Sequence, residues 1–148
     1  MQHYESELQT LFINTISGLK VSMKAIMKEQ GLSLSPLHFM ILKNIYETEN
    51  CTANYLADVA AKDKGQVTRL IQEVINQGLI IKSPNPNDKR SQYLFLTDKG
   101  LTVYQHLAQA DQKVLKEMRK DVSDEELKAF LNIGKKMLAN LNTVISEA

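Results

Sequence analysis

The sequence predicts a mainly α-helical chain carrying one small β-hairpin. Three observations predict it. Apolar residues recur at three- and four-residue spacing over most of the chain, the pattern turns extended only between Leu79 and Leu96, and long apolar stripes mark both ends. The 148 residues are enough for one ordinary domain or a small two-part protomer with a proper core. Hydrophobic residues at 43 % and charged residues at 24 % are ordinary for a folded globular chain.

The elements follow in order. Leu8, Leu11, Phe12, Ile16, Leu19, Met23, Ile26 and Met27 stripe a long first helix that Gly31 stops. Ser35-Pro36 opens a second helix with an N-cap oxygen and a proline at the first helical position, and Phe39, Ile41, Leu42, Ile45 and Tyr46 follow. Thr52 caps a short third helix holding Leu56 and Ala57. Asp63 caps a fourth, with Val67, Leu70, Ile71 and Val74 on one face and Gly78 as its stop. Leu79-Ile80-Ile81-Lys82 and Ser91-Gln92-Tyr93-Leu94-Phe95-Leu96 read as two strands joined by the turn-rich Pro84-Asn85-Pro86-Asn87-Asp88. Thr97 then caps a long helix with Leu101, Tyr104, Ala108, Leu115 and Met118. Ser123 with Glu126 forms a capping box that starts a last helix bearing Leu127, Phe130, Leu131, Leu138, Leu141 and Ile145.

The net charge is only +1, but it is unevenly placed. Residues 62–90 hold six basic side chains against three acidic, whereas residues 1–61 hold four against six and residues 91–148 eight against eight. A positive excess in the middle of the chain suits a local anion-binding surface. Residues 53–72 fit a helix-turn-helix: Ala57 is small where two helices touch, Ala61 sits at the turn, and Val67 and Leu70 close the second helix onto the first. Ala61 stands where glycine is usual, and Lys62 where an apolar residue is more common. At about 100° per residue, Gly65, Arg69, Gln72 and Asn76 face away from the apolar side of the second helix, flanked by Gln66 and Thr68. Arg can fork to guanine O6 and N7, and Gln can bridge adenine N6 and N7, so this face suits a DNA major groove. Two plainer readings stand beside it: Arg69 and Glu73, four apart, pair on a solvated face, and Gln66 completes a capping box with Asp63.

A hairpin directly after that helix makes the order a winged helix-turn-helix. Its basic tip, through Arg90 and Lys89, is placed to reach the neighbouring minor groove. Asp88 is expected to orient Arg90 or Lys89 by a charge-assisted hydrogen bond.

The runs Thr52-Ala53-Asn54-Tyr55-Leu56-Ala57, Asp63-Lys64-Gly65-Gln66-Val67-Thr68-Arg69-Leu70, Asp88-Lys89-Arg90-Ser91 and Leu96-Thr97-Asp98-Lys99-Gly100 resemble the multiple-antibiotic-resistance regulator (MarR) family, most densely over residues 35–100. The resemblance implies a dimeric DNA-binding transcription factor, usually a repressor that releases DNA on binding small aromatic acids or other lipophilic molecules. The expected DNA-contacting set is Thr52, Lys64, Gln66, Thr68, Arg69, Asp88, Lys89 and Arg90, with Arg69 and Gln66 on bases and Lys64 and Thr68 on the backbone. The expected organisation is an N-terminal dimerisation helix at 1–34, the winged domain at 35–100 and C-terminal dimerisation helices at 101–148. Leaving the terminal stripes wet forgoes roughly 1.5–3 kcal/mol per large side chain, so two protomers are expected to pair through them and read a palindromic duplex. Half-sites would then lie about 34 Å apart.

Met23, His38, Leu42 and Tyr104 are candidate effector-binding residues, with His38 able to take an aromatic carboxylate beside apolar walls. Redox-sensing relatives carry their thiol in the first helix, which lacks one here, so Cys51 is expected to be a packing residue. One cysteine and three scattered histidines cannot make an internal disulfide or a structural zinc site. No catalytic triad order, phosphate loop or metal quartet is present, so neither an enzyme nor a cofactor is expected. The N-terminus lacks a signal-peptide plan and no run of 18 apolar residues occurs, so a cytoplasmic protein without a membrane partner is expected. The alternative is a winged-helix module that binds other proteins and no DNA.

Overall fold

A computed structural model describes residues 2–60 and 63–148, so Ala61 and Lys62, assigned above to the helix-turn-helix turn, lie outside the described residues. The order is α1 (Gln2–Glu29), α2 (Pro36–Glu47), α3 (Ala53–Ala60), α4 (Lys64–Asn76), β1 (Ile80–Ser83), β2 (Tyr93–Leu96), α5 (Asp98–Met118) and α6 (Asp124–Glu147). The fold is mainly helical with one antiparallel hairpin, a winged helix-turn-helix.

Local chemistry sets the boundaries. Gly31 and Gly78 take positive φ, +67° and +73°, and end α1 and α4 as expected. At the start of α2 the Ser35 hydroxyl accepts from the His38 N–H at 3.4 Å. The Ser35 N–H in turn donates to His38 Nδ1 at 2.8 Å, so a histidine completes the capping box. Asp63 Oδ1 accepts the Gln66 N–H at 2.9 Å and starts α4.

The strands pair Ile80 with Leu96, Ile81 with Phe95, Lys82 with Leu94 and Ser83 with Tyr93. Thr52 adds a bridge to Tyr93, and the Leu94 N–H donates to the Cys51 carbonyl at 2.9 Å, so the chain before α3 seals the outer edge of β2. Thr52 Oγ1 meanwhile accepts the Tyr55 N–H at 3.2 Å as the expected cap.

The residues fall into two compact units, one ending at Val114 and one running Leu115–Ala148. In the first, Phe39, Ile41, Leu42, Leu56, Val67, Val74, Leu79 and Leu94 form the centre of the core. Met23 and Met27 of α1 and Tyr104 and Leu107 of α5 belong to the same core, which therefore runs past residues 34 and 100. The upper part of the α1 stripe stays open, with Leu11 and Ile16 about half exposed. In the second unit Ser123 and Glu126 make the expected reciprocal box, at 2.8 and 3.1 Å. Hydrogen bonding to the carboxyl by the Ser123 backbone first, and then by the Ser123 side chain, lowers the Glu126 pKa. α6 buries none of its residues, and Leu138, Leu141, Val144 and Ile145 are all more than half exposed.

Candidate nucleic-acid interface

The helix-turn-helix and the wing meet at a groove of about 270 Å³. Ala53 and Asn54 enter it from the start of α3, Lys64 and Thr68 from the first turns of α4, Lys82 from β1, and Lys89, Arg90, Ser91 and Gln92 from the wing, over Ile71 and Leu94. Four cationic side chains thus line one opening, and none of its lining residues is acidic. Charges of one sign gathered without counter-charges raise the local potential and attract a polyanion.

Each side chain is placed by its local fold. Thr68 Oγ1 donates to the Lys64 carbonyl at 2.8 Å, which turns its oxygen lone pairs outward as acceptors. Gly65 serves the cap as well as any approaching phosphate, because a Cβ there would sit 3.2 Å from Asp63 Oδ1. At the wing tip Asn85 Oδ1 accepts the Asn87 N–H and Asp88 Oδ1 accepts the Arg90 N–H, each at 2.9 Å. This is the expected charge-assisted hydrogen bond: the Asp88 carboxylate accepts the main-chain N–H of Arg90 and holds it in a tight turn. A carboxylate two residues before an arginine reaches the intervening amide more readily than the end of so long a side chain.

Lys64, Thr68, Lys89 and Arg90 of the expected set line the groove, and Gln66 and Arg69 do not. Gln66 is half-buried, and its side chain does not complete a capping box with Asp63. Arg69 is exposed, with Nε 3.9 Å from Glu73 Oε1, so the plainer pairing exists but is long. The firmer partner of Glu73 is His38, whose Nε2 lies 2.6 Å from Oε2. Sequence reasoning missed Lys82 and Asn54. Strand alternation offered the signal for Lys82, since it places that residue on the same face as buried Ile80.

The four candidate effector residues are core residues in this structure: Met23, His38 and Tyr104 are 6–7 % exposed and Leu42 is fully buried. Tyr104 stacks with Phe39 at 6.0 Å and meets Tyr46 at 4.7 Å between ring centroids. Burial first, then the nearby Glu47, Tyr46 and Asp111, raise the Tyr104 phenol above its ordinary value. Both ring nitrogens of His38 are engaged.

Cys51 is 1 % exposed, and burial pushes its thiol from 9.0 up to about 11. A neutral buried thiol is a packing group, not a nucleophile. Its pKa is raised on folding, so the stability it lends holds below pH 9 and is lost as pH climbs from 9.0 to about 11. At pH 8, Ellman's reagent is therefore expected to label native protein only as fast as the chain unfolds. Immediate stoichiometric labelling of native protein would show the thiol to be accessible.

Comparison with known proteins matches this architecture. The MarR family model matches residues 34–92, which take in α2 through the wing tip. The chain is 28 % identical over 144 residues to the HTH-type transcriptional regulator BilQ of Clostridioides difficile, covering 97 % of this chain and 95 % of that one. It is also 28 % identical over 108 residues to the multiple antibiotic resistance protein MarR of Escherichia coli, covering 72 % and 75 %. Among solved structures, a mutant E. coli MarR complexed with operator DNA superposes with a TM-score of 0.78 at 23 % identity, covering 89 % of this chain and 94 % of that one. A Staphylococcus aureus MarR in complex with salicylate and kanamycin superposes with a TM-score of 0.81 at 19 % identity, covering 95 % and 94 %. The fold, with its helix-turn-helix and wing, is that of a winged-helix protein. Residues 34–92 thus match the MarR family model, and the chain is similar along most of its length to HTH-type transcriptional regulators. Among the described residues no helix is long and apolar enough to cross a membrane.

Proposed function

We propose that this chain acts in the cytoplasm as a homodimeric repressor that binds palindromic duplex DNA and is released by a small lipophilic or aromatic-acid effector. One observation carries the reading: Lys64, Lys82, Lys89 and Arg90, from three separate elements, line a single groove without an acid. A phosphate ridge neutralises such a cluster, while Gln66 and Arg69 on the same helix remain available for base edges. Thr52 contributes at the foot of the wing, where its cap and its bridge to Tyr93 fix the start of α3. The apolar faces left open on α1 and on α6 favour a second copy of this chain as their cover. An aromatic carboxylate is the effector class favoured by the Phe39, Tyr46 and Tyr104 rings and by His38, where it would compete with Glu73 for Nε2. The S. aureus relative bound to salicylate supports the same class.

The test is selection of duplexes from a random-sequence library, followed by binding at several salt concentrations against non-specific competitor. A palindromic consensus is expected, and Arg90→Ala should weaken binding to it by about 1–3 kcal/mol while the chain stays dimeric. Absence of any enriched duplex would favour the protein-binding alternative. Unchanged affinity of Arg90→Ala would remove the wing from recognition.

A further inference from the structure

We propose that Glu73, held from behind by His38, is a positioning residue that aims Arg69 at its base; this rests on the DNA-binding reading above. Glu73 lies on α4 one turn after Arg69 and is nearly half exposed, whereas His38 is buried. The contacts run in series. The Ser35 N–H donates to His38 Nδ1 at 2.8 Å, His38 Nε2 meets Glu73 Oε2 at 2.6 Å, and Glu73 Oε1 faces Arg69 Nε at 3.9 Å.

The donor at Nδ1 is a backbone amide, which can only donate, so Nδ1 is the acceptor and the ring proton sits on Nε2, directed at Glu73. The ring is itself fixed by the α2 cap. One carboxylate oxygen is therefore immobilised by a buried group, and the other is presented at a set place on the helix surface.

An ordinary surface pair between residues four apart contributes little, because two long side chains must both be ordered to form it. Here the acid is already ordered from the core side, and only Arg69 has to settle. An arginine drawn toward an acid on its Nε side leaves both terminal nitrogens to reach outward, and those are the donors that fork to guanine O6 and N7. The link also joins the start of α2 to the third turn of α4, so the cap of one helix helps to set the aim of the other.

The experiment is a double-mutant cycle of Glu73→Gln and Arg69→Ala, read on the consensus duplex that the wild-type chain selects. Glu73→Gln keeps an oxygen for the His38 Nε2 proton and replaces the charged oxygen facing Arg69 by an uncharged NH2, so folding is retained; matched melting temperatures check this. Glu73→Gln alone is expected to weaken binding roughly two- to fivefold. It should relax base preference at one position of each half-site, the same position that Arg69→Ala relaxes. In the Arg69→Ala background, Glu73→Gln should have no further effect. Additive losses, or a loss spread evenly over all positions, would overturn the positioning role while leaving DNA binding intact. Failure of the wild-type chain to select any duplex overturns the DNA-binding reading, and this inference with it.

Discussion

Replacing Lys64, Lys82, Lys89 and Arg90 together by alanine is expected to weaken duplex binding at physiological salt by roughly a hundred- to a thousandfold. Each cation that neutralises a phosphate releases condensed counterions, and the log–log salt slope falls by about 0.9 for each contact removed. With four removed, the slope should flatten by between about 3 and 4 per protomer. Titrations at four or five salt concentrations read both quantities from one data set. The same variant should melt no lower than the wild type. The four side chains share a groove with no acid in its lining, so removing them relieves mutual repulsion. A slope identical to the wild type would place the phosphate ridge elsewhere on the molecule.

The second large effect is on folding. A Cβ at Gly100 would lie 1.8 Å from the Leu79 carbonyl oxygen and 2.8 Å from its carbon, and both are main-chain atoms that no rotamer change can move. Three hydrogen bonds fix this corner: Thr97 N–H to the Leu79 carbonyl at 3.0 Å, Thr97 Oγ1 to the Gly78 carbonyl at 2.6 Å, and Gly100 N–H to Thr97 Oγ1 at 3.0 Å. Gly100→Ala must push the first turn of α5 away and break several of them, at an expected loss of about 3 kcal/mol or more in urea denaturation. Gly18→Ala is the opposite control. Nothing lies within 4 Å of a Cβ there, so the helix should gain about 0.5–1 kcal/mol. Equal stability of Gly100→Ala and the wild type would mean that α5 is not pinned as described.

Much of this architecture was legible in the residues. Helix starts were readable because caps are local: Ser35-Pro36, Asp63, Thr97 and the Ser123–Glu126 pair each act within three or four residues. The stops at Gly31 and Gly78 followed from the left-handed backbone they adopt. The wing was readable because prolines in its tip forbid helix and strand alternation flanks them. What escaped was chemistry between elements. His38 is an effector candidate because an apolar-flanked histidine is a plausible ligand group, and the residues give no sign that its ring nitrogens also meet Ser35 and Glu73, the latter 35 positions away. No spacing rule reports a partner at that separation. The partner of Asp88 was open between Arg90 and Lys89, and it is the Arg90 main-chain amide that the carboxylate meets. Lys82 was counted as a charge and not as a groove residue, although alternation from Ile80 gives its face; what the residues leave out is that this face meets α4 and the wing tip.

The hairpin closes by being lopsided. Thr52 covers the β2 side, so the ribbon has one exposed flank, along β1, where main-chain donors and acceptors would otherwise invite a stray strand to zip on. That flank carries Lys82 and runs straight into Pro84, which has no amide hydrogen to give. A lysine that attracts a polyanion also deters fibril-like stacking, so engineering the wing to be less basic exchanges weaker operator grip for a stickier protein.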